Sequence, residues 1–171
     1  MMRTFSGFLV LAGALLLSGC GSKEFKEFKS ADGGFKVLMP GTPKEKTQAT
    51  PGGELKMYLV EERNGAYMAG FANTPIPPNE SEAQTQNRLD GARDGAVRNI
   101  NGTLVKDTKI KLAGKEPGRE IEANLPQNKG IIRARFYIVG SRMYQVMVVG
   151  TRAWVSSPDA ARFLDSFALT K

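Results

Sequence analysis

One thiol, two aspartates a helical turn apart, and a set of alternating acids and arginines are the residues whose types and spacing could do chemistry. Cys20 is the only cysteine, so no disulfide can form within the chain; as a thiolate it is a nucleophile able to form a thioether. Asp90 and Asp94 are spaced to share one face of a helix, where two carboxylates could hold a cation or work as an acid pair. Asp94 also precedes Arg98 by four residues, the spacing of a helical ion pair, and a solvated helix face is the reading this favours. Glu120, Glu122, Arg133 and Arg135 alternate with apolar residues in two segments around a polar loop. The chain has no histidine, which excludes Ser-His-Asp and Cys-His catalysis and, with one cysteine, the usual zinc sites. No glycine-rich phosphate loop is present. Carboxylates alone can hydrolyse glycosides, but that needs two acids about 5–10 Å apart in a cleft, and the spacing brings no such pair together. The sequence calls for no catalytic residue, no metal and no cofactor.

The surroundings of Cys20 have a physics of their own. Arg3 is followed by a nearly unbroken apolar run, Phe5 to Leu17, that falls short of the roughly 20 residues a spanning helix needs. A charged start, a short apolar run and small residues before a cut site describe a signal peptide over residues 1–19. Leu17-Ser18-Gly19-Cys20 resembles the lipobox of bacterial lipoproteins. The resemblance implies cleavage after Gly19, diacylglycerol on the Cys20 sulfur, and acylation of the new amino terminus. One acyl chain binds a bilayer only reversibly, whereas two or three on one residue make a stable anchor. Cys20 is therefore expected to hold the protein to a lipid bilayer in the cell envelope. Gly21 stands where aspartate signals inner-membrane retention in enteric bacteria, so the outer membrane is favoured over the inner. The 171-residue chain carries a formal charge of +7, an excess that could meet lipid headgroups, an envelope protein or another anionic surface. The expected location argues against nucleic acid.

The rest of the chain divides into a short lipidated tether, residues 20–33, and a single domain, 34–171. Phe25 or Phe28 of the tether is expected to dock on that domain. Phe35 to Met39 alternates as a strand and ends at Pro40-Gly41. Glu54 to Glu62 and Ala66 to Asn73 are strands joined at Asn64-Gly65, the strongest hairpin signal in the chain. Asn79 with Glu82 has the form of a capping box, opening a helix whose apolar side carries Leu89, Ala92, Ala96, Val97 and Ile100. Strands follow at Leu104 to Leu112, Gly118 to Asn124, Ile131 to Val139 and Arg142 to Gly150. Ser157-Pro158-Asp159 then supplies a cap, a first-turn proline and a dipole-favourable acid for a last helix. The fold class is α+β, an antiparallel sheet of about six or more strands flanked by helices.

These elements predict a register for the charged residues. With Asn124 opposite Ile131, Glu122 faces Arg133 and Glu120 faces Arg135. All four charges then share one face of the sheet, and Ile121, Ala123, Ala134 and Phe136 share the other. One reading is a surface charge ladder; the other is an exposed polar face, edged by Arg142 and Arg152, that docks an anionic partner. Trp154 is expected to cap the core between sheet and helix.

Gly34-Phe35-Lys36-Val37-Leu38-Met39-Pro40-Gly41-Thr42-Pro43 resembles the opening strand and turn of PsbP-like (Mog/PsbP-type) domains. Ser157-Pro158-Asp159 and Phe163-Leu164-Asp165-Ser166-Phe167 resemble their ending. The resemblance covers about Phe25 to Leu169. It implies a sheet flanked by helices in a sandwich, and a binding or scaffolding role without enzymatic activity. The alternative is a lipoprotein that takes a small ligand in an apolar cleft between sheet and helix.

Overall fold

The computed structural model describes residues 24–50, 53–75 and 79–170. The expected signal peptide and Cys20 lie outside the described residues. Among the described residues ten strands form two antiparallel sheets. The small one joins β1 (Lys26–Ser30), β2 (Phe35–Met39) and β10 (Ala168–Leu169) in the order β1-β2-β10. The large one has the order β3-β4-β5-β9-β8-β7-β6: β3 (Lys44–Thr50), β4 (Gly53–Glu62), β5 (Gly65–Asn73), β6 (Thr103–Leu112), β7 (Glu116–Asn124), β8 (Ile131–Val139) and β9 (Arg142–Gly150). The long helix α1 (Glu82–Asn99) packs on one face of the large sheet. The small sheet and two short helices, α2 (Arg152–Val155) and α3 (Pro158–Asp165), pack on the other. The α+β fold expected from the periodicities, in the sandwich that the PsbP-like resemblance implies, is the fold observed.

Alternation decides which side chains meet. In β2, Phe35, Val37 and Met39 are buried while Lys36 and Leu38 are partly open. Phe35 is fully buried, and its ring lies 5.3 to 6.4 Å from the rings of Phe28, Tyr58, Phe71, Tyr144 and Phe167. On the opposite face Leu89 of α1 packs into Ile121, Ala123, Ile132, Ala134, Phe136 and Ile138. Trp154 sits against Tyr67, ring centres 4.6 Å apart, which is the capping position expected of it.

Much of the described part of residues 20–33, expected as a tether, belongs to the folded domain. Residues 26–30 form β1, paired along β2 from Lys26↔Met39 to Ser30↔Phe35, and Phe25 is buried with its ring edge-on to Tyr67. The charged residues of β1 hide its period, because Lys26, Glu27 and Lys29 are exposed. The two-residue turn of the β4–β5 hairpin is Arg63-Asn64 and not Asn64-Gly65, since Glu62 pairs with Gly65. Gly65 instead makes room for α2: a Cβ there would lie 2.3 Å from the Val149 carbonyl and 2.6 Å from the Trp154 ring. The α1 cap also falls two residues later than expected. The Ser81 hydroxyl accepts from the Gln84 N–H, and the Ser81 N–H donates to Gln84 Oε1 at 2.8 Å. Asn79 has φ 66°, outside the helix.

Candidate functional site

The register Asn124↔Ile131, Glu122↔Arg133, Glu120↔Arg135 is the one observed. Two rows lie between them, Ile121↔Ala134 and Ala123↔Ile132, with these apolar residues beneath α1. The four charged residues share the face that carries the small sheet, but near its margin, where α2 and α3 end. There the side chains regroup diagonally. Arg133 does not pair with Glu122 directly opposite: it donates from Nη2 to Glu120 Oε1 at 3.0 Å and to Oε2 at 3.2 Å. Arg135 donates from Nε to Glu120 Oε2 at 2.6 Å. Arg152, arriving from the first turn of α2, takes Glu122 Oε1 at 3.2 Å and Asn124 Oδ1 at 2.7 Å.

One carboxylate thus holds two guanidinium groups. Burial works to raise the Glu120 carboxyl, but the hydrogen bond from Arg135 and the charges of Arg133 and Arg135 together outweigh it, and Glu120 stays below its ordinary 4.5. Arg135 has two more partners: Asp165 Oδ1 at 2.7 Å from Nη2, and the Leu164 carbonyl at 2.9 Å from Nη1. It closes the C-terminal end of α3, where orphan carbonyls attract a cation. Its side chain is 16% exposed.

Arg133 and Arg135, expected on one exposed face, and Arg142 and Arg152, expected at its edge, therefore separate into four places. Arg133 lines an open hollow, and Arg152 lines the depression next to it. Arg135 is tucked beneath α3, because the helix end and Asp165 use its remaining donors. Arg142 is remote, at the start of β9 opposite Val139 and Asn73, with its guanidinium 5.4 Å from the Phe71 ring centre and its Nε on Asn73 Oδ1 at 3.1 Å. A nine-residue strand is roughly 27 Å long, so Arg142 lies near the other end of the sheet.

The hollow has a volume of about 300 Å³ and is lined by Lys106, Glu120, Glu122, Arg133, Val155 and Ser156. Next to it, a second depression of about 240 Å³ is lined by Asn124, Asn128, Lys129, Gly130, Thr151 and Arg152. Lys106 belongs to this site and sequence reasoning missed it. A bulge between Leu104 and Lys106 shifts the β6 register, which places Lys106 opposite Glu122. Val155 and Ser156 were equally hidden, since four residues of helix carry no readable period. Lys106 is exposed and makes no ion pair among the described residues.

The aspartates of α1 do a different job. Arg93 reaches Asp94 at 2.7 Å and Asp107 of β6 at 2.6 Å; Arg119 of β7 reaches Asp107 at 2.8 Å and Asp90 at 2.5 Å. The hydrogen bond from Arg93 lowers the Asp94 carboxyl. Asp94 takes Arg93, its chain neighbour, as its ion-pair partner where Arg98 was expected. The network fastens α1 to the sheet with arginines between the acids. Among the described residues no group of three or more acids or thiols is placed to hold a metal. No described helix is long and apolar enough to cross a membrane.

No family profile and no curated protein sequence matches the chain. Solved structures do. Cyanobacterial PsbP (CyanoP) of Synechocystis superposes with a TM-score of 0.62 at 12% identity, covering 88% of this chain and 95% of that one. A Pseudomonas aeruginosa protein of unknown function reaches a TM-score of 0.45 at 10% identity, covering 80% and 90%, too distant to carry an argument. At such identities the likeness speaks for architecture alone: the chain has a PsbP-like fold.

Proposed function

We propose that this is a lipoprotein of the bacterial envelope, anchored through acylated Cys20, whose folded domain binds an anionic partner and performs no catalysis. The hollow beside α2 carries the reading. Arg133 lines it with Nη1 still open, Arg152 holds Glu122 from the adjoining depression, and Lys106 adds an ammonium that makes no ion pair among the described residues. A preformed concavity with fixed guanidinium forks suits carboxylate or phosphate groups. Arg135 supports the site from below by holding Glu120, and Arg142 lies outside it. The lipobox Leu17-Ser18-Gly19-Cys20 supports the anchor, and Gly21 favours the outer membrane. The partner is an envelope protein or another anionic surface, not nucleic acid.

The test is in-cell crosslinking of the lipidated protein beside a Lys106→Glu, Arg152→Glu variant. Both side chains are exposed, so the fold survives the change. A specific partner captured by the parent and lost from the variant is the expected result. The same partner captured equally by both moves the site away from the hollow. A small ligand is the second reading. Leu89 fills the space between α1 and the sheet, which leaves the hollow as its place, and native mass spectrometry of the purified protein detects it.

A further inference from the structure

The end of the sandwich from which the tether leaves differs from the rest of the surface. Phe25 is buried against Tyr67, three residues from the hairpin turn at Arg63-Asn64, and is covered by the Arg162 guanidinium, 4.9 Å from its ring centre. From Cys20 to Phe25 is five residues, and at ~3.3–3.6 Å per residue a chain of that length reaches at most about 18 Å in any conformation. An acylated Cys20 therefore holds this end of the domain within one short span of the bilayer.

The strand pairings show what else lies there. Gly65, Gly150, Ile131, Asn124 and Thr103 form one row across the large sheet, so β6 begins at this same end. The next two residues of β6 are Leu104, 38% exposed, and Val105, 54% exposed, the exposed large apolar side chains among the described residues. Val105 stands at the bulge and has no partner in β7. Strands at sheet edges are normally blunted with charge, so two open aliphatic side chains at a bulge run against ordinary practice. Arg63, Arg98 and Lys129 stand exposed around the same end. Four strand spacings of about 4.8 Å separate β5 from β6, roughly 19 Å, which is comparable with the reach of the tether.

We propose that this end is a membrane-facing surface: Leu104 and Val105 enter the headgroup region of the bilayer that holds Cys20, and Arg63, Arg98 and Lys129 meet anionic phospholipid headgroups. Aliphatic contacts at the interface and cations beside them reinforce each other on a surface already tethered. The hollow beside α2 then opens a few residues above the headgroups, so its partner is itself membrane-proximal. The inference rests on the lipoprotein reading.

The experiment uses full-length protein, whose Cys20 thiol is consumed by acylation, with a single new thiol for an environment-sensitive fluorophore. Val105→Cys reports the proposed surface and Ser141→Cys, in the β8–β9 turn, reports the far end. Both proteins are reconstituted into phosphatidylethanolamine–phosphatidylglycerol vesicles carrying brominated acyl chains. Interfacial burial of about 5–10 Å predicts roughly twofold or greater quenching at Val105 and little at Ser141. Equal quenching at both positions, or quenching at Ser141 alone, overturns the proposal. A probe at Val105 that is shielded in native membranes but open on vesicles gives the patch to a protein partner and overturns it too. Intact-mass measurement reads acylation separately: unmodified Cys20 removes the lipoprotein reading and the tether, whereas acylated protein with an unquenched Val105 probe removes the membrane-facing surface alone.

Discussion

The two faces of the large sheet are covered by different physics. On one, the small sheet, α2 and α3 interlock rings: Phe35, Tyr67, Phe71, Tyr144 and Phe167 belong to a single aromatic core. On the other, α1 buries one residue fully, Leu89, and rests Ala92, Ala96 and Val97 partly against the sheet. What the helix lacks in apolar contact is supplied by the arginine–aspartate network at Asp90, Arg93, Asp107 and Arg119. Packing therefore holds the first face, and polar fastening contributes much of the hold on the second. The hollow opens at the margin where the aromatic cover stops and the sheet's own charges begin.

That contrast predicts a ranking of stability losses. Phe35→Ala empties the centre of the ring cluster and should cost about 4 kcal/mol, while Leu89→Ala should cost about 2.5 kcal/mol because only one residue of α1 is seated that deeply. Urea unfolding of each variant measures both. Equal losses would mean that α1 is held as firmly by packing as the small sheet is.

At the margin, Glu120 is the residue whose removal should be felt next. Glu120→Gln leaves Arg133 and Arg135 facing a neutral group, with side chains 29% and 16% exposed, and should cost about 2 kcal/mol at neutral pH. The pH dependence has a definite sign. A carboxyl held below 4.5 in the folded protein contributes stability that is complete above 4.5 and is lost as pH falls through the folded value. Asp32 adds to the same acid limb, lowered chiefly by the hydrogen bond from Lys56 and further by Ser30. Urea midpoints taken from neutral pH down to about pH 3 should fall steeply for the parent and less steeply for Glu120→Gln, since glutamine has no proton to gain. Parallel curves would show that Glu120 does not organise the arginines.

On the α1 face the matching test is Asp107→Asn, which takes the shared carboxylate from Arg93 and Arg119. A loss of about 1 kcal/mol is expected, only partly reduced at high salt because Arg93 and Asp107 are each only about a fifth exposed. An unchanged midpoint at low salt would leave Leu89 as the principal hold on α1.

Legibility followed the same division. The period of two is plain wherever a strand buries one face, so alternation alone carries the β7–β8 register and its four charges. It was hidden in β1 and β3, whose residues are mostly charged or polar: Lys44-Glu45-Lys46-Thr47-Gln48 is exposed throughout and takes its pairing from β4. The candidate site was half legible for a related reason. Backbone register follows from alternation, but the partner of a long arginine does not, and Arg133 passed over Glu122 for a carboxylate already shared with Arg135. The bulge that places Lys106 and the four-residue helix that brings Arg152 leave no periodic trace.

The smallest predicted effect concerns the start of α1, where the spacing predicts a cap at Asn79 and the structure places it at Ser81. Asn79 and Glu82 have the right spacing, and so do Ser81 and Gln84; only the second pair closes a reciprocal box. Ser81→Ala removes the acceptor for the Gln84 N–H and should cost about 1 kcal/mol. Asn79 tells the opposite story. With φ at 66° it occupies a conformation that glycine adopts without steric cost, so Asn79→Gly should change stability by no more than a few tenths of a kcal/mol. Because α1 buries so little, the loss at Ser81 should also appear as faster amide exchange in its first turn, with the aromatic face unchanged. A larger loss at Asn79 than at Ser81 would place the cap where the sequence spacing first suggested it, and would make Glu82, not Gln84, the residue that closes the helix.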